Sequence, residues 1–316
     1  MAEKKYDVAV IGGGPAGMTA ALYAARAGKT CLVIEKNAVG GQIVNTSGID
    51  NFPAAPGIKG FDYAIKLQKQ AESFGAEFIF DDVKSVKEPV SEGKAFDIEG
   101  SVGNYKATAI VLATGLDNRK MGIENEDRLI GHGISFCALC DGAFFRGADV
   151  AVYGGGNTAL EDAEVLASIC NTVTVIHRRD RFRGEQTLVD SLKNYDNVKY
   201  EMNHTISAVT GDGTLEGVII KNTENGEERE IKVKGLFEAI GRIPNGKAFA
   251  NLVIEDDRGY YEVDENCESD SVPGVFVAGD GRSKKVRQLT TAVGDGAVAG
   301  TAASKYVDRM NGREYI

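Results

Sequence analysis

The feature that most constrains this sequence is a glycine motif that occurs twice with one downstream spacing. Gly12, Gly14 and Gly17 form G-x-G-x-x-G after the apolar run Tyr6 to Ile11, and Glu35 stands 21 residues beyond Gly14. Gly154, Gly156 and Ala159 form G-x-G-x-x-A after Val150 to Tyr153, and His177 stands 21 residues beyond Gly156. Each small residue has a task at a strand-to-helix turn. The first allows the tight turn, the second lets a pyrophosphate approach the backbone, and the third lets helix pack on strand, with helix N–H groups meeting the phosphates. One copy could be an ordinary βαβ turn; two copies with matched spacing specify two nucleotide-binding units. A P-loop is the other mimic, suggested by Gly28-Lys29-Thr30, but the glycine it needs five residues before Gly28 is Tyr23.

The residue closing each second strand separates the two nucleotides. Glu35 can accept hydrogen bonds from a ribose diol and repels a 2′-phosphate, so the first unit is expected to hold an unphosphorylated adenosine such as that of FAD. The second unit places His177-Arg178-Arg179 there, with Arg183 shortly beyond, and planar cations suit a 2′-phosphate. NADPH is therefore expected over NADH. The competing reading is a solvated basic turn, since Asp180 and Glu185 interleave with the arginines.

Around these motifs the chain reads as α/β. The first unit is a strand Tyr6 to Ile11, a helix to about Ala27 and a strand Cys31 to Glu35. An amphipathic helix, Phe61 to Phe74, stops at Gly75. Short alternating runs at Glu77 to Phe80, Lys94 to Glu99 and Tyr105 to Leu112 read as an antiparallel excursion returning to a buried strand that ends at Ala113-Thr114-Gly115. The second unit runs as strand Val150 to Tyr153, helix Thr158 to Ser168 and strand Val173 to Ile176. Gly241 to Gly246 reads as a linker, and a last buried strand, Val275 to Val277, leads into Gly279-Asp280.

With 316 residues there is room for about two domains of roughly 150 residues each. The balance of 36 Lys plus Arg against 46 Asp plus Glu gives a formal charge of −10, which argues against a nucleic-acid binder. No apolar run approaches the roughly 18 residues of a membrane span. Lys4 and Lys5 before an apolar stretch superficially suggest a signal peptide, but Gly12 to Pro15 break that stretch at once. Five cysteines, an odd number, do not suit a disulfide-stapled secreted scaffold, so a cytoplasmic location is expected.

Two of the five form Cys137-Ala138-Leu139-Cys140, followed by Asp141. This spacing allows a local disulfide, and a helix N-terminus lowers a thiol pKa, which suits thiol–disulfide exchange. Zinc would need two more ligands, whereas Cys31, Cys170 and Cys267 are scattered, so no metal is expected and these three read as inert thiols. Asp141 reads either as a helix cap or as an acid that moves protons beside the dithiol.

Taken together and in this order, the motifs resemble those of the low-molecular-weight NADPH thioredoxin reductases, flavoprotein disulfide reductases of bacteria. The similar segments run over nearly the whole chain: Gly12 to Gly17, Gly40-Gly41-Gln42, Ala113 to Gly115, Cys137 to Gly142, Gly154 to Ala159, His177 to Arg183, Gly279-Asp280 and Arg287-Gln288. The resemblance implies two Rossmann-like nucleotide-binding domains, with an NADPH domain at 117–246 inserted into a discontinuous FAD domain at 1–116 and 247–316, and a homodimer. Gly12, Gly14, Pro15, Ala16 and Gly17 would then meet the FAD phosphates, with Glu35 and Lys36 beside the adenosine. Gly41, Gln42, Asn51 and Ala113-Thr114-Gly115 would lie along the flavin nucleotide. Gly279-Asp280 would hold its ribityl chain, and Arg287 and Gln288 its ring. Gly154, Gly156, Asn157 and Thr158 would face the NADPH pyrophosphate, with His177, Arg178, Arg179 and Arg183 at its 2′-phosphate.

In that family the second cysteine faces the flavin and the first attacks thioredoxin, so these roles fall on Cys140 and Cys137, with Asp141 as the acid. Relatives also rotate the inserted domain between half-reactions, which would place hinges at Gly115 to Arg119 and Gly241 to Gly246. Leu139 and His132 depart from the common Thr and Arg and bear on partner choice. His132 and His204 read as surface residues, and Lys284-Lys285 as a solvated turn. A dithiol oxidase or a ferredoxin-driven reductase of the same fold would have no use for the arginine cluster. A redox-sensing flavoprotein without turnover is the non-enzymatic alternative.

Overall fold

A computed structural model describes residues 5–46, 48, 49, 51–91 and 94–313. The chain divides into two compact units, one of Met1–Val44, Phe52–Asp117 and Ile243–Ile316, the other of Asn45–Asn51 and Asn118–Arg242.

The first unit is built on a seven-stranded sheet. Lys5–Ile11 lies at its centre, parallel to Cys31–Glu35 on one side and to Asn104–Leu112 on the other. Glu77–Phe80 continues the sheet parallel to Cys31–Glu35, so it does not belong to the antiparallel excursion its alternating pattern suggested. That excursion consists of Val83–Lys87 and Phe96–Gly100, paired antiparallel onto the first half of Asn104–Leu112. The second half of the same long strand pairs in parallel with Val275–Val277. One nine-residue strand thus serves two neighbours along one edge. Val83–Lys87 is invisible to a period-two reading because a bulge between Val83 and Ser85 shifts its register.

Helix Pro15–Arg26 packs against the C-terminal helix Leu289–Met310. The contact is close because both faces are small. A Cβ on Gly296 would stand 2.3 Å from the Ala16 carbonyl oxygen, and one on Gly300 2.4 Å from that of Ala20. Ala20, Ala24, Ala299 and Ala303 complete this seam, all fully buried. Lys29, part of the failed P-loop pattern, has its ammonium buried against Asp308 at 2.5 Å and so serves packing.

The second unit holds a five-stranded, wholly parallel sheet in the order Val198–Met202, Thr172–His177, Asp149–Gly154, Gly235–Ala239 and Ile134–Ser135. Helix Asn157–Ala167 crosses it, burying Leu160, Ala163 and Leu166 against Val150, Val152, Val175 and Phe237. A three-stranded antiparallel sheet, His204–Thr210, Gly217–Asn222 and Glu228–Lys232, follows in sequence. The two connecting segments, Leu116–Asn118 and Arg242–Pro244, pair with each other as a two-stranded ribbon. The α/β class with two Rossmann-like units follows the expectation from the repeated motif, and the insertion of the second into the first follows what the family resemblance implies. Among the described residues, no helix is long and apolar enough to cross a membrane.

Candidate nucleotide turns and redox pair

At the first turn the three glycines divide their work as the motif demands. Gly12 adopts φ +107°, and a Cβ there would stand 2.3 Å from the Ala113 carbonyl oxygen; one on Gly17 would stand 1.9 Å from the Gly12 oxygen. These two positions are closed by the protein itself. A Cβ on Gly14 would meet nothing within 4 Å. The middle glycine therefore faces open space at the start of helix Pro15–Arg26, whose N-terminus has no side-chain cap. Uncapped N–H groups beside an open glycine suit a diphosphate.

Other expected residues converge on this turn within the first unit. Gly40 N–H donates to the Gly13 carbonyl at 2.7 Å, bringing the 3₁₀ turn Gly41–Asn45 to its edge. Gln42 Nε2 donates to the Leu116 carbonyl at 3.3 Å, just past Ala113-Thr114-Gly115. A Cβ on Gly279 would stand 2.8 Å from that of Ala16, so Gly279-Asp280 lies against the first helical turn. Arg287 Nε donates to the Asp280 carbonyl at 3.1 Å, with its guanidinium 4.1 Å over the Tyr260 ring. Gln288 caps the C-terminal helix in a reciprocal bond with Thr291. Two expected residues are not brought to this turn by these contacts: Asn51 belongs to the second unit and is exposed, and Lys36 pairs with Asp82 at 3.3 Å.

Glu35 does more than its spacing implies. Its Oε2 accepts from Gly13 N–H at 2.6 Å and its Oε1 from Asn37 N–H at 2.8 Å, so the carboxylate is fixed at the turn. Asp295 was not legible in the sequence at all. It accepts from Gly279 N–H at 3.1 Å, from Arg282 Nη1 at 2.8 Å and from Lys284 Nζ at 2.7 Å. Lys284 is accordingly a largely buried ion-pair partner, its side chain 14% exposed, and not the solvated turn its sequence suggested.

The second turn repeats the division. A Cβ on Gly154 would stand 2.4 Å from the Ala239 carbonyl oxygen, whereas one on Gly156 would meet nothing within 4 Å, and helix Asn157–Ala167 again lacks a side-chain cap. Thr158 is exposed in its first turn, and Asn157 exchanges hydrogen bonds with Glu185, so that acid is spent on the loop and not on the arginines. Arg183 N–H donates to the Gly155 carbonyl at 2.7 Å, folding the arginine segment back over the glycines. Arg178, Arg179 and Arg183 are all exposed and form no ion pair among the described residues.

His177 is a correction to the expected cationic group. It is 6% exposed, stacked on Phe182, and its ring lies where a Cβ on Gly155 would have to go, 2.3 Å away. Burial, with the neighbouring arginines, lowers its pKa, so it braces the turn as a neutral ring.

Cys137 and Cys140 form a disulfide with Cα atoms 5.3 Å apart. Cys137 is the N-cap of the four-residue helix Ala138–Asp141, and its Sγ and carbonyl both accept from Cys140 N–H. Ser135, which carries no sequence signal, stands behind the pair. Its Oγ accepts from Cys137 N–H at 3.2 Å and donates to Asp141 Oδ2 at 2.6 Å. Asp141 is therefore not the cap. Burial raises its pKa, opposed by the Ser135 bond. Leu139 is 58% exposed beside the pair.

The remaining cysteines, Cys31, Cys170 and Cys267, are buried free thiols, pushed up to about 12, 11 and 11 chiefly by burial, and so poor nucleophiles. His132 is exposed as expected, whereas His204 is half-buried, its Nδ1 2.7 Å from the Met202 carbonyl. Elsewhere in the second unit two buried carboxyls meet. Glu126 accepts from Met121, Gly122 and Ile123 N–H at 2.9, 2.7 and 3.1 Å. Glu238, 4% exposed, is pushed up to about 9 by burial and by the adjacent Glu126.

Comparison with known proteins gives the chain's relatives. Residues 6–296 match the pyridine nucleotide-disulphide oxidoreductase family. The chain is 43% identical over 310 residues to the thioredoxin reductase of Listeria monocytogenes, covering 98% of this chain and 96% of that one. It is 39% identical to that of Bacillus subtilis with the same coverage. Among solved structures it resembles the thioredoxin reductase of Streptococcus pyogenes, with TM-score 0.90 at 37% identity over 96% of this chain and 99% of that one. The Giardia duodenalis enzyme gives TM-score 0.86 at 32% identity with the same coverage.

Proposed function

The chain belongs to the pyridine nucleotide-disulphide oxidoreductase family, as one of its thioredoxin reductases, and we propose that it passes electrons from NADPH through FAD and the Cys137–Cys140 disulfide to the disulfide of thioredoxin. The observation that carries this reading is a disulfide backed by a half-buried acid in the same unit as a nucleotide turn bearing three arginines that form no ion pair among the described residues. A dithiol oxidase or a ferredoxin-driven reductase would have no use for those arginines.

In this reading the Gly14 turn, Glu35 and the Gly279-Asp280 turn hold FAD, and the Gly156 turn holds NADPH with Arg178, Arg179 and Arg183 on its 2′-phosphate. FAD supplies the two-electron carrier between nicotinamide and disulfide. The chain's own residues do the rest. Two electrons and one proton taken up at the Cys137–Cys140 bond yield a thiol and a thiolate, and the thiolate falls to Cys137, whose Sγ accepts from Cys140 N–H. Cys137 attacks the partner disulfide, forming a mixed disulfide and releasing one partner thiolate. Cys140 then attacks Cys137 Sγ, restores the internal disulfide and releases the second. Asp141, its hold on a proton strengthened by burial and its carboxyl oriented by Ser135, relays the Cys140 proton to the departing sulfur.

The paired connecting segments Leu116–Asn118 and Arg242–Pro244 would act as the hinge of a rotation that presents each site to the flavin in turn, and the active form would be a cytoplasmic homodimer. Steady-state reduction of a thioredoxin disulfide, with NADPH and NADH in parallel, tests the reading. Turnover with NADPH far above NADH is expected. Flavin bleaching without turnover would favour the sensing flavoprotein, and no bleaching by either nucleotide would overturn the arginine assignment.

A further inference from the structure

Helix Asn157–Ala167 begins at the second nucleotide turn, and five residues on from Asn157 it places Asp162 under the redox turn. Asp162 Oδ1 accepts from Ala138 N–H at 3.2 Å, the first helical residue after Cys137. The residue is 8% exposed, and its Oδ2 is buried with no hydrogen-bond partner. A buried carboxylate with one oxygen unsatisfied is costly, whereas a carboxylic acid in the same place is not.

We propose that Asp162 is a positioning residue of the redox pair: it fixes the Cys137–Cys140 turn through the Ala138 N–H, and its ionisation is coupled to whether the two sulfurs are bonded. This rests on the reading of Cys137–Cys140 as the redox couple. Reduction by the electron pair that the proposed reaction supplies breaks the S–S bond. It leaves a thiol and a thiolate with uptake of one proton, or two thiols with uptake of two. An ionised Asp162 repels the new thiolate, so reduction raises the carboxyl's hold on its proton, and the reduced state binds an extra fraction of a proton there.

The surroundings leave this titration to a few groups. Burial pushes Asp162 up to about 7; the bond from Ala138 N–H and the charge of Arg242 oppose that, and Glu161 on its own helix adds to it. Asp141, on the redox turn itself, is held by Ser135 through Oδ2 only; its Oδ1 is buried without a partner and burial raises its pKa, so it titrates in wild type and Asp162 variants alike and cancels in their comparison. The sheet beneath the helix presents apolar Val150, Val152, Val175 and Phe237, and on the neighbouring helix Gln186–Leu192 the polar Ser191 is taken by Glu164.

The test equilibrates holoenzyme with buffers of reduced and oxidised dithiothreitol from pH 6 to 8 and counts free Cys137 and Cys140 by thiol trapping and mass. Over that range the wild-type exchange constant should fall more steeply than that of Asp162→Asn, by about 3- to 10-fold in total. Asp162→Ala should show the same flattening, plus an offset at every pH because Ala138 N–H has lost its acceptor; if it fails to fold, the Asn variant alone decides. Parallel profiles for wild type and Asp162→Asn overturn the proposal. A wild-type pair that does not exchange at all sinks the redox-pair reading and this inference with it, so the two failures are distinguishable.

Discussion

Removing two arginines should separate NADPH from NADH without touching the fold. We predict this for the double substitution Arg178→Ala, Arg179→Ala. Both side chains are exposed and neither forms an ion pair among the described residues, so no partner is left stranded and the melting temperature should hold. A 2′-phosphate would be their anion. A hydrogen bond to a charged group contributes about 1.5–3 kcal/mol, and solvent screening at an exposed site reduces that to roughly 1–1.5 each. Losing both costs about 2–3 kcal/mol, or about a 30- to 140-fold rise in the NADPH dissociation constant. His177 adds nothing to this sum, being buried and neutral. Calorimetric titration of oxidised holoenzyme measures both nucleotides directly. NADH affinity should change by less than about threefold, and the NADPH effect should shrink between 50 and 500 mM salt, roughly as the screening length contracts. Equal losses for the two nucleotides would refute the assignment.

Three further outcomes are expected. Cys140→Ser should retain FAD and nicotinamide-driven bleaching yet lose thioredoxin turnover, because the mixed disulfide on Cys137 has no resolving thiol; full activity would sink the dithiol mechanism. Gly14→Ala should fold normally, since its Cβ meets nothing within 4 Å, but should lose bound FAD, whereas Gly17→Ala should destabilise the fold, its Cβ falling 1.9 Å from the Gly12 oxygen. FAD content by absorbance and urea midpoints separate the two, and an unaltered FAD content in Gly14→Ala would remove the phosphate from this turn. Glu238, held at about 9 against an ordinary 4.5, keeps a proton in the folded state that it loses when unfolded, so its stabilisation is complete at low pH and is lost as pH rises towards 9. Glu238→Gln should therefore flatten the fall in urea stability between pH 6 and 9, by on the order of 2 kcal/mol; an unchanged slope would mean that Glu238 does not hold a proton in the folded state.

What could be read from the sequence was whatever depends on spacing along one chain. The two glycine motifs, the CxxC pair and the strands carrying them are local patterns, and each stands where its period placed it. What escaped depends on residues brought together from afar. Asp295 reaches Gly279 across 16 residues, Asp162 reaches Ala138 across 24, and Glu238 meets Glu126 across more than a hundred; no periodicity marks any of them. His177 was misjudged because its position in the motif says which strand end it occupies, not that Gly155 leaves room for its ring beneath the turn. Lys284 looked solvated because the acid that buries it lies on the next helix.

The seam between helix Pro15–Arg26 and helix Leu289–Met310 has a consequence for synthesis. Residues 16–24 cannot meet Gly296, Gly300 and Ala303 until nearly the whole chain has left the ribosome, and Lys29 waits 279 residues for Asp308. The inserted unit, complete by Arg242, is fully translated well before then. It can therefore assemble first on the nascent chain, while the opening βαβ segment stays unfinished, with a lysine that has yet to find its counter-charge. A chain ending before the last helix would leave the small-residue face of helix Pro15–Arg26 without the partner that covers it.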